Sequence, residues 1–154
     1  MGDMECKELL EKAKTIRLRT HNGKYLVADD DEKSIRQERD GTTIRAHWKV
    51  EFIEDEQNIL YLKSCYGKYL TASNKRFLPR ITGFKVLQTL PERLNSSLQW
   101  EVERNGSRIR LRTRYGQFLR PNSGIHPWRN LVSHDIPFRA SSESKLYWEL
   151  DVVE

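Results

Sequence analysis

The chain has 154 residues, 32% of them charged and 37% hydrophobic, with a net charge of +5. That is enough for one domain with a buried core, and no apolar run approaches the ~20 residues of a membrane span. The positive balance favours acidic partners without choosing among them. Cys6 and Cys65 stand far apart, and the charged run from Met1 to Glu8 has no apolar secretory stretch. We therefore expect a reducing, cytoplasmic setting.

In chain order, Met4 to Lys14 reads as a short helical or irregular lead-in, with Asp3 as its candidate N-cap. Ile16-Arg17-Leu18-Arg19-Thr20-His21-Asn22-Gly23-Lys24-Tyr25-Leu26 follows. Its alternation of apolar and charged residues predicts a half-buried strand, a turn at Gly23 and a second strand. Asp29 to Glu32 is acidic but lacks the ligand spacing of a calcium loop, so it reads as a solvated turn. Ile35–Gln37 and Thr43–Arg45 are strand candidates, and Trp48–Phe52 alternates again. A second copy of the phrase runs from Leu60 to Leu70, followed by a strand candidate at Phe84–Gln88 and an alternating segment at Trp100–Glu103. A third runs from Ile109 to Leu119, followed by Asn130–Val132 and Trp148–Val152.

Gly23, Gly67 and Gly116 thus recur about every 50 residues, as do Trp48, Trp100 and Trp148. Three units of four strands, at approximately 14–57, 58–106 and 107–154, predict an all-β chain of 12 strands in a single β-trefoil domain. Such a barrel is closed by a hairpin cap that leaves no exposed sheet edge. The tryptophans are core or barrel-floor positions.

The turn register follows from which residues must be buried. A three-residue loop puts glycine in the left-handed position of a type I turn with a bulge. It pairs Leu18 with Leu26, Leu62 with Leu70 and Leu111 with Leu119 on one apolar face. A one-residue slip would turn Leu26 outward. The same register sets Arg19 opposite Tyr25, Lys63 opposite Tyr69 and Arg112 opposite Phe118, predicting cation–aromatic pairs.

Two surfaces are candidate binding sites. Arg17, Arg19, Lys63, Arg110, Arg112 and Arg114 project from the wet side of the strands. They form either a stripe for acidic groups or long side chains covering aromatic rings. The loop Pro121–Asn130 interrupts the third unit, and His126, Trp128 and Arg129 within it offer a stacking and charged contact. No nucleophile, phosphate-loop or metal-ligand spacing is present, so we expect no enzyme, cofactor or metal. The Gln-x-Trp signature of ricin-type lectins is replaced by Ala46, Leu98 and Leu146 two residues before each tryptophan. No pattern for nucleic acid is found.

The three phrases, with Gly23–Asp31, Val86–Pro91, Pro127–Asn130, His134–Pro137 and Trp148–Glu154, closely resemble the plant DUF569 family, which is grouped with actin-crosslinking, fascin-like β-trefoils. The resemblance implies the trefoil fold and a protein partner, with the actin filament as the candidate. The resulting expectation is a non-enzymatic, macromolecule-binding trefoil. An anionic-ligand or glycan-binding module, and an interaction scaffold using the third-unit loop, are the alternatives.

Overall fold

The computed structural model describes residues 10, 14–53, 56, 58–76, 83–122, 130–136 and 144–153. These contain twelve strands, β1 (Thr15–Arg19), β2 (Tyr25–Ala28), β3 (Ile35–Glu38), β4 (Trp48–Phe52), β5 (Ile59–Lys63), β6 (Tyr69–Arg76), β7 (Phe84–Thr89), β8 (Trp100–Asn105), β9 (Arg108–Arg112), β10 (Phe118–Pro121), β11 (Val132–Asp135) and β12 (Trp148–Val152). Of the expected lead-in, Leu10 is described. It is helical and fully buried, and its carbonyl accepts the Lys14 amide at 3.1 Å. Lys14 is described too, and residues 4–9 and 11–13 lie outside the described residues.

The glycine turns have the geometry that leucine burial demands. Gly23 N–H donates to Thr20 O at 3.0 Å, and Thr20 N–H donates to Lys24 O at 2.7 Å. Ser64, Gly67 and Lys68 repeat this at 3.0 and 2.7 Å, and Thr113, Gly116 and Gln117 at 3.1 and 2.7 Å. The three glycines sit at φ +79, +75 and +82°, where a Cβ strains the backbone. The registers Arg19 with Tyr25, Lys63 with Tyr69 and Arg112 with Phe118 are present.

Antiparallel pairing runs β1–β12–β9–β8–β5–β4 and back to β1, a closed ring of six strands. The hairpins β2–β3, β6–β7 and β10–β11 form the cap. They meet through β11–β7 pairing and through bridges between Ser34 and Leu87 and between Arg36 and Leu131. A six-stranded barrel with three capping hairpins is a β-trefoil, and closure leaves the barrel strands no free edge.

Leu18, Leu26, Leu62, Leu70, Leu111 and Leu119 are all at 0% exposure, as are Trp48, Trp100 and Trp148. Each indole N–H donates to a leucine carbonyl, Trp48 to Leu26 at 3.0 Å, Trp100 to Leu70 at 3.0 Å and Trp148 to Leu119 at 3.3 Å. Burying an indole this deeply is tolerable only because its polar atom is satisfied. Ala46, Leu98 and Leu146, which stand where a lectin signature has glutamine, are buried beside them.

Two strand expectations shift. Thr43–Arg45 was expected as a strand, but Ile44–Ala46 is a 3-10 turn, because the Thr43 hydroxyl accepts from Arg45 N–H at 3.3 Å and offers the backbone a local alternative. Asn95 does the same for Ser97 N–H at 2.9 Å ahead of the turn Ser96–Leu98. The strand expected at Asn130–Val132 instead begins at Val132, with Leu131 held by its bridge to Arg36.

Candidate functional site

The cap is pinned by buried polar side chains on β3, β7 and β11. The Gln37 amide donates to Asn122 O at 2.9 Å and Leu131 O at 2.7 Å. The Gln88 amide donates to Asp29 O at 3.1 Å and Ser34 O at 3.2 Å. Each thus ties its own hairpin to the preceding one around the cap. At the corresponding position of β11 stands His134, 4% exposed, with Nε2 2.6 Å from Ser73 O. Its Nδ1 lies 2.6 Å from Gln117 Oε1.

Burial pushes the His134 pKa below its usual value, against the Ser73 carbonyl and Asp135, which pull upward. The ring is therefore neutral near pH 7. A carbonyl can only accept, so Nε2 carries the proton and donates to Ser73. Nδ1 can then only accept, so the neutral ring requires the Gln117 amide to be assigned with its Nε2 in the position of Oε1.

This substitution adjoins a cavity of about 480 Å³ between the β6–β7 hairpin, the Ser96–Leu98 turn and the β9–β10 turn. Phe84 stacks on His134 with centroids 5.3 Å apart to form one wall. Ser73, Asn74, Ser96 and Ser97 supply hydroxyl and amide groups, and Arg114 and Tyr115 stand at the rim. Tyr115 is 81% exposed. The volume lies in the range of small-molecule sites, about 300–1,000 Å³.

Comparing the phrases shows why the space opens here. Counted from the tryptophan, Ser97 corresponds to Arg45, which makes a two-pronged ion pair with Glu38 at 2.7 and 2.8 Å. Counted from the glycine, Tyr115 corresponds to Tyr66, which packs half-buried against the core. Gln117 corresponds to Lys68, whose ammonium donates to Glu32 O at 2.8 Å. Here Ser97, an outward Tyr115 and a Gln117 turned to His134 stand in place of the paired Arg45, the half-buried Tyr66 and the hydrogen-bonded Lys68. A further hollow of about 580 Å³ borders Lys49, Glu51, Lys63 and Cys65. Its Lys63 and Glu51 pair at 3.9 Å, and it has no aromatic wall.

The expected basic stripe is mostly neutralised. Arg17 donates to Gly41 O at 3.0 Å and lies 3.8 Å from Asp151. Arg110 bonds Glu103 at 2.6 Å, and Arg112 lies 4.0 Å from both Glu101 and Glu103. Among the described residues, Arg19 and Arg114 have no ion pair. The cation–aromatic pairs also differ from expectation. Lys63 covers Tyr69 at 5.5 Å as its register predicts. Tyr25 and Phe118, however, lie under Arg17 at 5.4 Å and Arg110 at 4.5 Å, not under Arg19 and Arg112. A guanidinium stem is long enough to reach the diagonal neighbour, about 7–8 Å away across the strands, and cover its ring.

Of the sequence candidates, Arg114 is the one the structure brings to the cavity. His126, Trp128 and Arg129 lie outside the described residues. The feet of their loop are held by Asn122 N–H donating to Leu131 O at 3.0 Å and by Lys24 Nζ donating to Asn130 Oδ1 at 3.0 Å. The acidic run folds as a turn, with Asp31 accepting from Lys33 N–H and Ser34 N–H, both at 2.8 Å. Asp135, beside His134 in sequence, pairs with Arg120 at 2.9 Å. Its burial pushes the carboxyl pKa up, with Arg120 opposing. No cluster of metal-ligating groups occurs among the described residues.

A family profile described as a β-trefoil domain of unknown function, DUF569, matches residues 7–148. The chain belongs to this family. No curated protein sequence matches it significantly. Among solved structures, this DUF569 chain is similar to a GlcNAcα1-4Gal-releasing endo-β-galactosidase from Clostridium perfringens, at 18% identity and a TM-score of 0.67, over 91% of this chain and 32% of that one. The chain thus spans about a third of that enzyme's length. The designed threefold-symmetric protein ThreeFoil matches at 17% identity and 0.67, over 90% and 98%. The Haemophilus ducreyi cytolethal distending toxin matches at 14% and 0.68, over 92% and 85%. At such identities the likeness is one of fold.

Proposed function

We propose that the chain is a non-catalytic recognition module that takes a polyhydroxylated ligand, such as the end of a glycan, in the cavity beside His134. The observation that carries this is the lining. An aromatic wall and an exposed tyrosine face hydroxyl and amide groups on rigid strands and turns, the arrangement of a preformed small-ligand site. The Ser73 hydroxyl donates to Lys85 O at 2.6 Å, and the Ser97 hydroxyl donates to Asn95. Their hydrogens are committed, so they present lone pairs suited to a ligand rich in O–H donors. Both His134 nitrogens are engaged, which favours binding over acid–base chemistry. The reading treats residues 14–57, 58–106 and 107–154 as copies of one unit in a single domain.

A saccharide array tests it with the wild type and the double variant Ser97→Arg/Thr89→Glu, which recreates the Arg45–Glu38 pair at the corresponding positions. The wild type binds a defined subset and the folded variant loses it. A blank array from folded wild type, or undiminished binding by the variant, rejects the reading. The fascin-like resemblance points to actin instead. Saturable pelleting with filamentous actin that survives the double variant would place recognition outside the cavity.

A further inference from the structure

We infer that the ligand of this cavity is an acidic saccharide whose anionic group is read by Arg114; the inference rests on the glycan reading above. Among the described residues the lining contains no aspartate or glutamate, and His134 is neutral, so Arg114 supplies the charge. Arg114 is exposed and makes no ion pair within the described residues, whereas Arg17, Arg110 and Arg112 are all engaged. It also borders a second hollow with Glu56, Glu101 and Arg112, but Glu101 is 4.0 Å from Arg112, and among the described residues no carboxylate reaches ion-pair distance of Arg114. At the corresponding positions the other phrases have His21 and Cys65, so an obligate cation belongs to this junction.

The parts divide the recognition. The guanidinium fork offers donors to a carboxylate or sulfate, and such charge-assisted bonds are about twice as strong as neutral ones. Ser73 and Ser97 accept from ligand hydroxyls. The exposed Tyr115 ring beside Arg114 offers an apolar face to the C–H side of a sugar ring. A bare inorganic anion would use only the first of these.

Isothermal titration of the full chain with matched pairs, galactose against galacturonate and glucose against glucuronate, provides the test, with sodium sulfate as the ion-only probe. The uronate binds about tenfold tighter than its neutral partner. Arg114→Gln removes that gap, bringing the affinity for the uronate down to that for its neutral partner. Equal affinities within each pair, a gap that persists in Arg114→Gln, or sulfate binding as tightly as the uronate would each overturn the inference. If neutral sugars bind without a gap, only the charge reading falls. If neither member of any pair binds, the glycan reading falls with it.

Discussion

Replacing Trp100 with phenylalanine removes an indole N–H that lies 3.0 Å from the Leu70 carbonyl, at a side chain with 0% exposure. Two costs add. Leaving that carbonyl without its donor costs about 1–3 kcal/mol. The lost ring atoms leave roughly 40 Å³, which at ~24 cal/mol per Å³ contributes about 1 kcal/mol. The sum is about 2–4 kcal/mol, or a fall in Tm of roughly 4–16 °C for a chain of this size. Urea and thermal denaturation followed by far-UV circular dichroism measure it. Trp48→Phe should cost a similar amount, since its N–H is also 3.0 Å from a leucine carbonyl. Tyr115→Ala, at an 81% exposed residue, should change stability by less than about 0.5 kcal/mol. A loss below about 1 kcal/mol for Trp100→Phe would refute the claim that these indoles are hydrogen-bonded anchors.

Other consequences separate backbone strain, packing and charge. Gly67→Ala places a Cβ with no atom within 4 Å, so its cost is the left-handed backbone alone, about 1–2 kcal/mol. Gly41→Ala would put a Cβ 2.5 Å from the Tyr25 ring, and its Tm should fall further than that of Gly67→Ala because the ring must move. For His134 the folded pKa lies below 6.5, so the stabilisation by the neutral ring is complete above about pH 6.5 and is lost as pH falls through the folded value. The difference in urea midpoint between the wild type and His134→Gln should therefore shrink from pH 7.5 to pH 5. The comparison is made in an Asp135→Asn background, because Asp135 titrates with the opposite sign and its charge interacts with His134; a constant difference contradicts the assignment. Burial pushes the Cys65 thiol pKa up, so alkylation of Cys65 in the folded chain should lag behind a free thiol at pH 8 and catch up only at higher pH; equal rates at pH 8 would contradict this.

The fold was legible because the repeated phrase specifies geometry through burial. Six leucines can share one face only with a three-residue turn ending in glycine, and the structure has that turn three times. The Thr43–Arg45 segment was not legible as a 3-10 turn because its alternation resembles a strand. The decisive signal is the Thr43 side chain competing for the backbone. The cavity was half legible. Arg114 was visible as part of a charged row, but a row of arginines in sequence does not reveal the carboxylates opposite it. Glu51, Glu101, Glu103 and Asp151 come from strands that only the barrel brings alongside. His134, Gln117, Ser96 and Ser97 were missed, because each is unremarkable alone. Their signal lies in the differences between copies, where His134 replaces a glutamine, Gln117 a lysine and Ser97 an arginine. The repeat specifies the fold by what its copies share, while the candidate site lies where they differ.

The most direct test of the central claim is a ¹H–¹⁵N correlation titration of the full chain with galacturonate. The cavity reading predicts saturable shifts confined to Ser73, Asn74, Ser96, Ser97, Arg114, Tyr115, Gln117 and His134. Shifts centred instead on Arg17, Arg19 and Arg110, or a spectrum unchanged at millimolar ligand, would contradict it.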